Sequence, residues 1–170
     1  MTGPVETALA KLGPATAYMI AVGVILADQA AKRYVIEALH LPQVGSLPLA
    51  GPVRLTMVWN RSVSMGLIPA EASVMRWVLA GFSALVALLL ILWARKQHRP
   101  LTLTALGLVI GGAIGNLIDR VLHGAVVDFI DFSALYFPWV FNVADSAITV
   151  GVVLLLIDSA RSDRLSRPAS

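Results

Sequence analysis

Four long apolar runs, separated by polar stretches, organise this chain. No charged residue falls between Lys11 and Asp28, between Arg76 and Arg95, or between Pro100 and Asp119, and the run from Pro138 to Ile157 carries one charge, Asp145. Each run approaches the ~20 residues that a helix needs to cross a ~30 Å hydrocarbon core. The first is short unless the helix continues through Asp28 and Lys32, as expected here. The pattern predicts membrane-spanning helices over about 14–36, 74–94, 101–122 and 138–159, within a single integral membrane domain covering residues 1–170. Trp77 and Trp93 bracket the second run roughly 24 Å apart along a helix, which suits aromatic belts at opposite interfaces. Trp139 is expected to mark the start of the fourth helix, and Pro100 the start of the third, where its missing N–H is tolerated.

The connection from about Glu37 to Glu71 is rich in Pro and Gly and contains the alternating stretch Arg54-Leu55-Thr56-Met57-Val58-Trp59. It predicts short strands and turns at the membrane surface over about 37–71. The second connection on that side, from about His123 to Phe137, is short. The expected fold class is therefore a membrane all-α bundle of four transmembrane helices with a small β-sheet cradle.

Composition agrees with a bilayer as the solvent. The 170 residues are 58% hydrophobic and 14% charged, with a mean hydropathy of +0.80; soluble domains carry about a quarter charged residues. Absence of cysteine removes thiolate catalysis and disulfides. The net charge of +3 calls for no nucleic acid, because basic residues at membrane-helix ends produce the same balance. Arg95, Lys96 and Arg99 crowd the link between helices two and three, and Arg161, Arg164 and Arg167 the C-terminal tail. Dense positive charge predicts that this side, with both termini, is cytoplasmic. Glu6 and Lys11 do not form a basic n-region, so the first run is expected to be a retained helix rather than a cleaved signal.

Ionisable residues inside membrane segments cost about 3 kcal/mol on insertion scales and persist where they pair or act. Asp28 and Lys32 lie four apart on one helix face, as an ion pair that orients helix one. Gly107, Gly111 and Gly115 recur every four residues, a spacing for close helix packing. Asn116 and Arg120 share a face, and an Arg there can neutralise a nearby carboxylate. Asp128 follows the Gly124 break in an apolar setting. Asn142, Asp145 and Thr149 share a face at the start of helix four, where the macrodipole favours an anionic Asp145.

Asp128 and Asp145 stand at the outer ends of consecutive helices joined by a short connection, so they can meet at one depth. Two neighbouring carboxylates do not both ionise readily. One protonated and one ionised carboxyl is the arrangement that activates a water and protonates a peptide group. Metal chemistry is disfavoured: His40, His98 and His123 are dispersed and there is no HExxH.

Asp28-Gln29-Ala30-Ala31-Lys32, Asn60, Gly115-Asn116-Leu117-Ile118-Asp119-Arg120, Val127-Asp128-Phe129 and Phe141-Asn142-Val143-Ala144-Asp145-Ser146-Ala147-Ile148 together resemble the motif series of the lipoprotein signal peptidases, or signal peptidase II, in order and spacing. The resemblance runs from about Met19 to Asp158. It implies a bacterial inner-membrane aspartyl endopeptidase with four transmembrane helices, cytoplasmic termini and a small periplasmic sheet that cradles the substrate. Asp128 and Asp145 would be the catalytic pair near the periplasmic face. Asn60, Asn116, Arg120 and Asn142 would position the substrate, supported by Asp28 and Lys32. The implied substrate is a prolipoprotein whose cysteine carries diacylglycerol; membrane lipid is the surrounding partner, a monomer is expected, no metal or cofactor is implied, and globomycin-type inhibitors would block the site. One motif departs: Asn60-Arg61-Ser62-Val63-Ser64-Met65-Gly66 has Ser62 where the family has glycine and Met65 where it has an aromatic residue.

Two rivals make different predictions. A small polar-lined transporter would use Asp28, Lys32, Arg120, Asp128 and Asp145 as a relay. A Ser–Lys membrane peptidase would pair Lys32 with one of Ser62, Ser64, Ser133 or Ser146, although no GxSxG elbow is present.

Overall fold

A computed structural model describes residues 13–61 and 72–166, with side chains described for 13–61 and 74–161. The chain forms helix α1 (Pro14–Arg33), a short helix α2 (Leu41–Val44), strands β1 (Ser46–Pro48) and β2 (Arg54–Asn60), helices α3 (Ala72–Ala94) and α4 (Pro100–His123), strands β3 (Val126–Asp131) and β4 (Val140–Phe141), and helix α5 (Val143–Ser166). The departure at Ser62–Met65 lies outside the described residues. Four of the helices are long and apolar enough to span a membrane. The first keeps its helical course past Arg33 through a π-helical turn, Tyr34–Ala38, so Asp28 and Lys32 lie within the span.

Helix α4 is the axis of the bundle. Of its most apolar stretch 67% is buried, against 17–22% for the other three, so α1, α3 and α5 pack around it and turn their outer faces to lipid. Phe82, Leu85, Leu88, Leu89 and Leu92 on α3 are exposed in this way, which a bilayer makes favourable. The glycines explain how α1 approaches so closely. A methyl group on Gly107 would stand 2.6 Å from the Ala17 carbonyl oxygen, and one on Gly111 2.6 Å from Val24 Cβ. The four-residue glycine spacing thus forms a groove for α1, and Gly115 continues it up to the carboxylate of Asp28. At the end of the bundle away from the sheet, buried Asp158 ties α5 to the start of α4, accepting a hydrogen bond from the Thr102 hydroxyl at 2.5 Å and pairing with Arg99 at 2.8 Å.

The fourth span starts later than its apolar run. Residues 138–142 do not continue the helix: Val140–Phe141 is a strand, and helical backbone begins at Val143. Hydropathy does not register a cap, and Asn142 supplies one. Its side-chain oxygen accepts the Asp145 backbone N–H at 2.9 Å, while the Asp145 carboxylate accepts the Asn142 N–H at 3.3 Å. This is a reciprocal capping box. Trp139 is exposed ahead of the helix rather than at its first turn.

All four strands form one antiparallel sheet in the order β1-β2-β3-β4. The first connection supplies only two of them; the second, read from sequence merely as a short link, supplies β3 and β4. Arg54 pairs with Asp131 and Val58 with Asp128, with a bulge between Leu55 and Val58. Leu41, Val127, Phe129 and Val35 form a small core that seats the sheet on the end of α1.

Candidate active site

The site assembles where α1, α4 and α5 meet the sheet. Its base is Lys32. The ammonium pairs with Asp28 at 2.8 Å and Asp119 at 2.7 Å, and donates to Asn116 Oδ1 at 3.2 Å. All three side chains in this ion cluster are buried. With three acceptors around it, each of the three ammonium N–H bonds has a partner. Among the described residues the partners of Lys32 include no serine; Ser146 donates to the Asn142 carbonyl at 2.9 Å.

Each carboxylate of the cluster also grips backbone. Asp28 accepts the Ala144 N–H in the first turn of α5 at 2.9 Å. Asp119 accepts the Val127 N–H of β3 at 3.0 Å. Gln29 binds both acids, at 3.2 Å and 3.0 Å. The ion cluster therefore joins α1 and α4 to the two elements that carry Asp128 and Asp145. Asp119 and Gln29 were not singled out from sequence as site residues, although Asp119 ends the apolar run of α4 as an ionisable group at membrane depth.

Asp128 is buried on β3, where Asn60 of β2 donates to Oδ2 at 2.9 Å and Asn142 donates to Oδ1 at 2.7 Å. Half-buried Asp145 accepts from Asn116 Nδ2 at 2.7 Å. The two amides touch, Asn142 Nδ2 donating to Asn116 Oδ1 at 3.1 Å. The carboxylates are thus linked through a pair of asparagines, each donating to one acid. Burial pushes the Asp128 carboxyl up to about 6; the hydrogen bond from Asn60 opposes this, the negative charge of Asp145 adds to it, and Asn142 and Lys32 draw it down. A carboxyl near neutrality beside a second acid can take or give a proton under physiological conditions.

Arg120 is half-buried in the field of Asp145, Asp128 and Asp119, and its guanidinium donates to the Asn116 carbonyl at 3.2 Å. Thr149 donates to the Asp145 carbonyl at 2.9 Å. Every residue selected from sequence, namely Asp28, Lys32, Asn60, Asn116, Arg120, Asp128, Asn142 and Asp145, lies in this one constellation.

A cavity of about 770 Å³ opens beside Asp145, roofed by Phe132, Phe137, Trp139 and Phe141 and floored by Thr149 and Val150 of α5. Phe132 and Phe141 stack at 5.4 Å, and Phe137 meets Trp139 edge-on at 4.9 Å. Among the described residues no three His, Asp or Glu side chains converge as metal ligands.

The chain is similar to known membrane peptidases. A family model described as signal peptidase (SPase) II matches residues 20–161. A protein named lipoprotein signal peptidase from Caulobacter vibrioides is 53% identical over 148 residues, 86% of this chain and 88% of its own. One of the same name from Methylobacterium sp. (strain 4-46) is 40% identical over 162 residues, 92% and 96% of the two chains. A bacterial membrane enzyme solved by the in meso method at 2.3 Å resolution superposes with a TM-score of 0.77 at 28% identity, covering 92% of this chain and 94% of its own. Another, at 1.9 Å resolution, gives 0.74 at 30% identity over 85% and 92%. With a family match that spans most of its length and a site at the mouth of its four-helix bundle, the chain belongs to the signal peptidase II family of membrane peptidases.

Proposed function

We propose that this peptidase is of the aspartic type, with Asp128 and Asp145 as its catalytic pair, and that it removes the signal peptide from diacylglyceryl-modified prolipoproteins by cutting before the lipidated cysteine. The observation that carries the assignment is the Asn116–Asn142 amide pair, which holds one acid on each side. The ionised carboxylate takes a proton from a water whose oxygen adds to the scissile carbonyl carbon. The protonated carboxyl gives its proton to the leaving nitrogen as the C–N bond breaks. The signal peptide leaves with a new carboxyl terminus and the lipidated cysteine with a free amine.

Asn60, Asn116 and Asn142 keep the acids oriented, and Arg120 offsets their negative charge. Asp28 and Lys32 hold the elements that carry them. The aromatic-roofed cavity beside Asp145 offers the apolar surface a lipidated substrate needs. The basic link at Arg95–Arg99 supports cytoplasmic termini and, with them, a site at the periplasmic face of the bacterial inner membrane. A monomer suffices, because every site residue comes from one chain.

The test is cleavage of a diacylglyceryl-modified prolipoprotein by purified protein in detergent, with Asp128→Asn and Asp145→Asn checked for folding. Wild type should cut before the lipidated cysteine, a globomycin-type inhibitor should stop it, and each variant should lose nearly all activity. Normal cleavage by either folded variant would rule out the aspartic assignment.

A further inference from the structure

Arg76 is the one charged residue in α3, near the start of a helix apolar enough to span a membrane. An ionisable side chain in such a helix is costly unless it finds partners. Its partners are backbone. The guanidinium Nε donates to the Arg120 carbonyl at 2.7 Å, and Nη2 donates to the Val121 carbonyl. Both carbonyls belong to the last turn of α4, where a helix runs out of N–H partners of its own. The same Arg120 carbonyl accepts the Gly124 N–H at 3.2 Å. Gly124 closes the helix at φ 73°, and a methyl group there would sit 3.3 Å from Arg76 Nη1. The absence of a side chain thus lets the guanidinium lie against the turn. On its other side the guanidinium carbon stands 5.0 Å from the Trp77 ring centroid.

This corner governs the geometry of the acids. Arg120 is one of the residues whose carbonyl is held, and Asp128 hangs from β3, which starts two residues after Gly124. Asp145 hangs from α5, a separate element. Whatever fixes the α4–β3 corner therefore sets the position of Asp128 relative to Asp145.

We infer that Arg76 is a positioning residue for the peptidase reaction: its forked guanidinium locks the α4–β3 corner and so holds Asp128 and Arg120 in register with Asp145. The inference rests on the aspartic assignment made above. Arg76 touches neither acid, so its contribution acts through the backbone. A lysine could reach one carbonyl but lacks the planar fork that spans two.

The experiment compares wild type, Arg76→Ala, Arg76→Lys and Arg95→Ala as full chains in detergent. Each is assayed on a diacylglyceryl-modified prolipoprotein for kcat, KM and pH profile, and each is checked by thermal unfolding. Displacement of a reacting group by about an ångström costs up to about a hundredfold, so folded Arg76→Ala should lose about ten- to a hundredfold in kcat with KM nearly unchanged. Its pH profile should shift as the coupling between the acids changes, and added guanidinium ion at non-denaturing concentration should restore part of the rate. Arg95→Ala, which removes the same charge from the opposite end of the bundle, should match wild type.

Wild-type kcat and an unshifted profile in folded Arg76→Ala would overturn the inference. Should that variant fail to fold, Arg76→Lys decides: a reduced kcat with KM retained supports the role, and wild-type kcat overturns it. Wild type that fails to cleave overturns the substrate assignment instead, a result distinct from active wild type beside an unaffected variant.

Discussion

Asn116 and Asn142 meet amide to amide, the Asn142 Nδ2 donating to Asn116 Oδ1 at 3.1 Å, and each donates in turn to a different acid at 2.7 Å. Asn116 lies on α4 and Asn142 caps α5, so the spacing of the carboxylates is written into the docking of α5 on α4. Asn142 has a further duty as the cap of α5.

Asn142→Ala therefore removes a cap and a carboxylate donor together. Loss of an N-cap costs about 1 kcal/mol, and an unpartnered buried acceptor adds about 1–3 kcal/mol. The variant should unfold at lower temperature and lose most of its activity. Asn142→Asp keeps the cap oxygen but places a third negative charge between the acids, so it should recover stability in part and activity not at all. Unfolding midpoints and kcat for the two variants check this.

Lys32 pairs with both Asp28 and Asp119. Replacing it with Met strands both acids, and breaking a buried pair in this way costs about 3–5 kcal/mol. Lys32→Met combined with Asp119→Asn removes one stranded charge and should recover part of that loss. Unfolding of single and double variants gives the coupling directly.

Gly115→Ala puts a methyl group 2.7 Å from Asp28 Oδ2, whereas at Gly23 on the same α1–α4 pair nothing lies within 4 Å of a new methyl. Overpacking of this kind costs about 1–3 kcal/mol. Gly115→Ala should loosen the Asp28–Ala144 tie and depress activity. Gly23→Ala should leave activity intact and stabilise by up to about 1 kcal/mol through helix propensity.

Asp128 gives a pH signature with a defined sign. Its folded value of about 6 lies above the ordinary 3.8. The folded state therefore holds a proton that the unfolded state has released between those values. The stabilising contribution is fully present below 3.8 and is lost as pH rises through about 6. Wild type should thus lose stability relative to Asp128→Asn across that window. Asn60→Ala removes the hydrogen bond that lowers the value, moving the titration up; Asp145→Asn removes a repelling charge, moving it down. Infrared absorption of the protonated carboxyl follows both shifts without requiring activity.

The spans were legible because a bilayer leaves a plain record: charge-free runs between Arg76 and Arg95 or Pro100 and Asp119 have few other uses. Asp128 and Asp145 were legible as a pair because both fall at the outer ends of consecutive helices. The start of α5 was not, since Pro138–Phe141 is as apolar as the helix that follows and only the hydrogen bonds of Asn142 mark the boundary. β3 was missed because both its faces are buried, which erases the alternation that betrays a half-exposed strand. Asp119 and Arg76 carried a signal, an ionisable group in or at the edge of an apolar helix, but a sequence does not name the partner, and for Arg76 the partners are main-chain carbonyls.

The reciprocal cap at Asn142 and Asp145 ties winding to arming. Asp145 takes its place only when the first turn of α5 closes, and that turn is itself held by Asp28 from the far end of the chain. Winding of this turn and placement of the Asp145 carboxylate are therefore one event, because the same four hydrogen-bonding groups start the helix and set the acid.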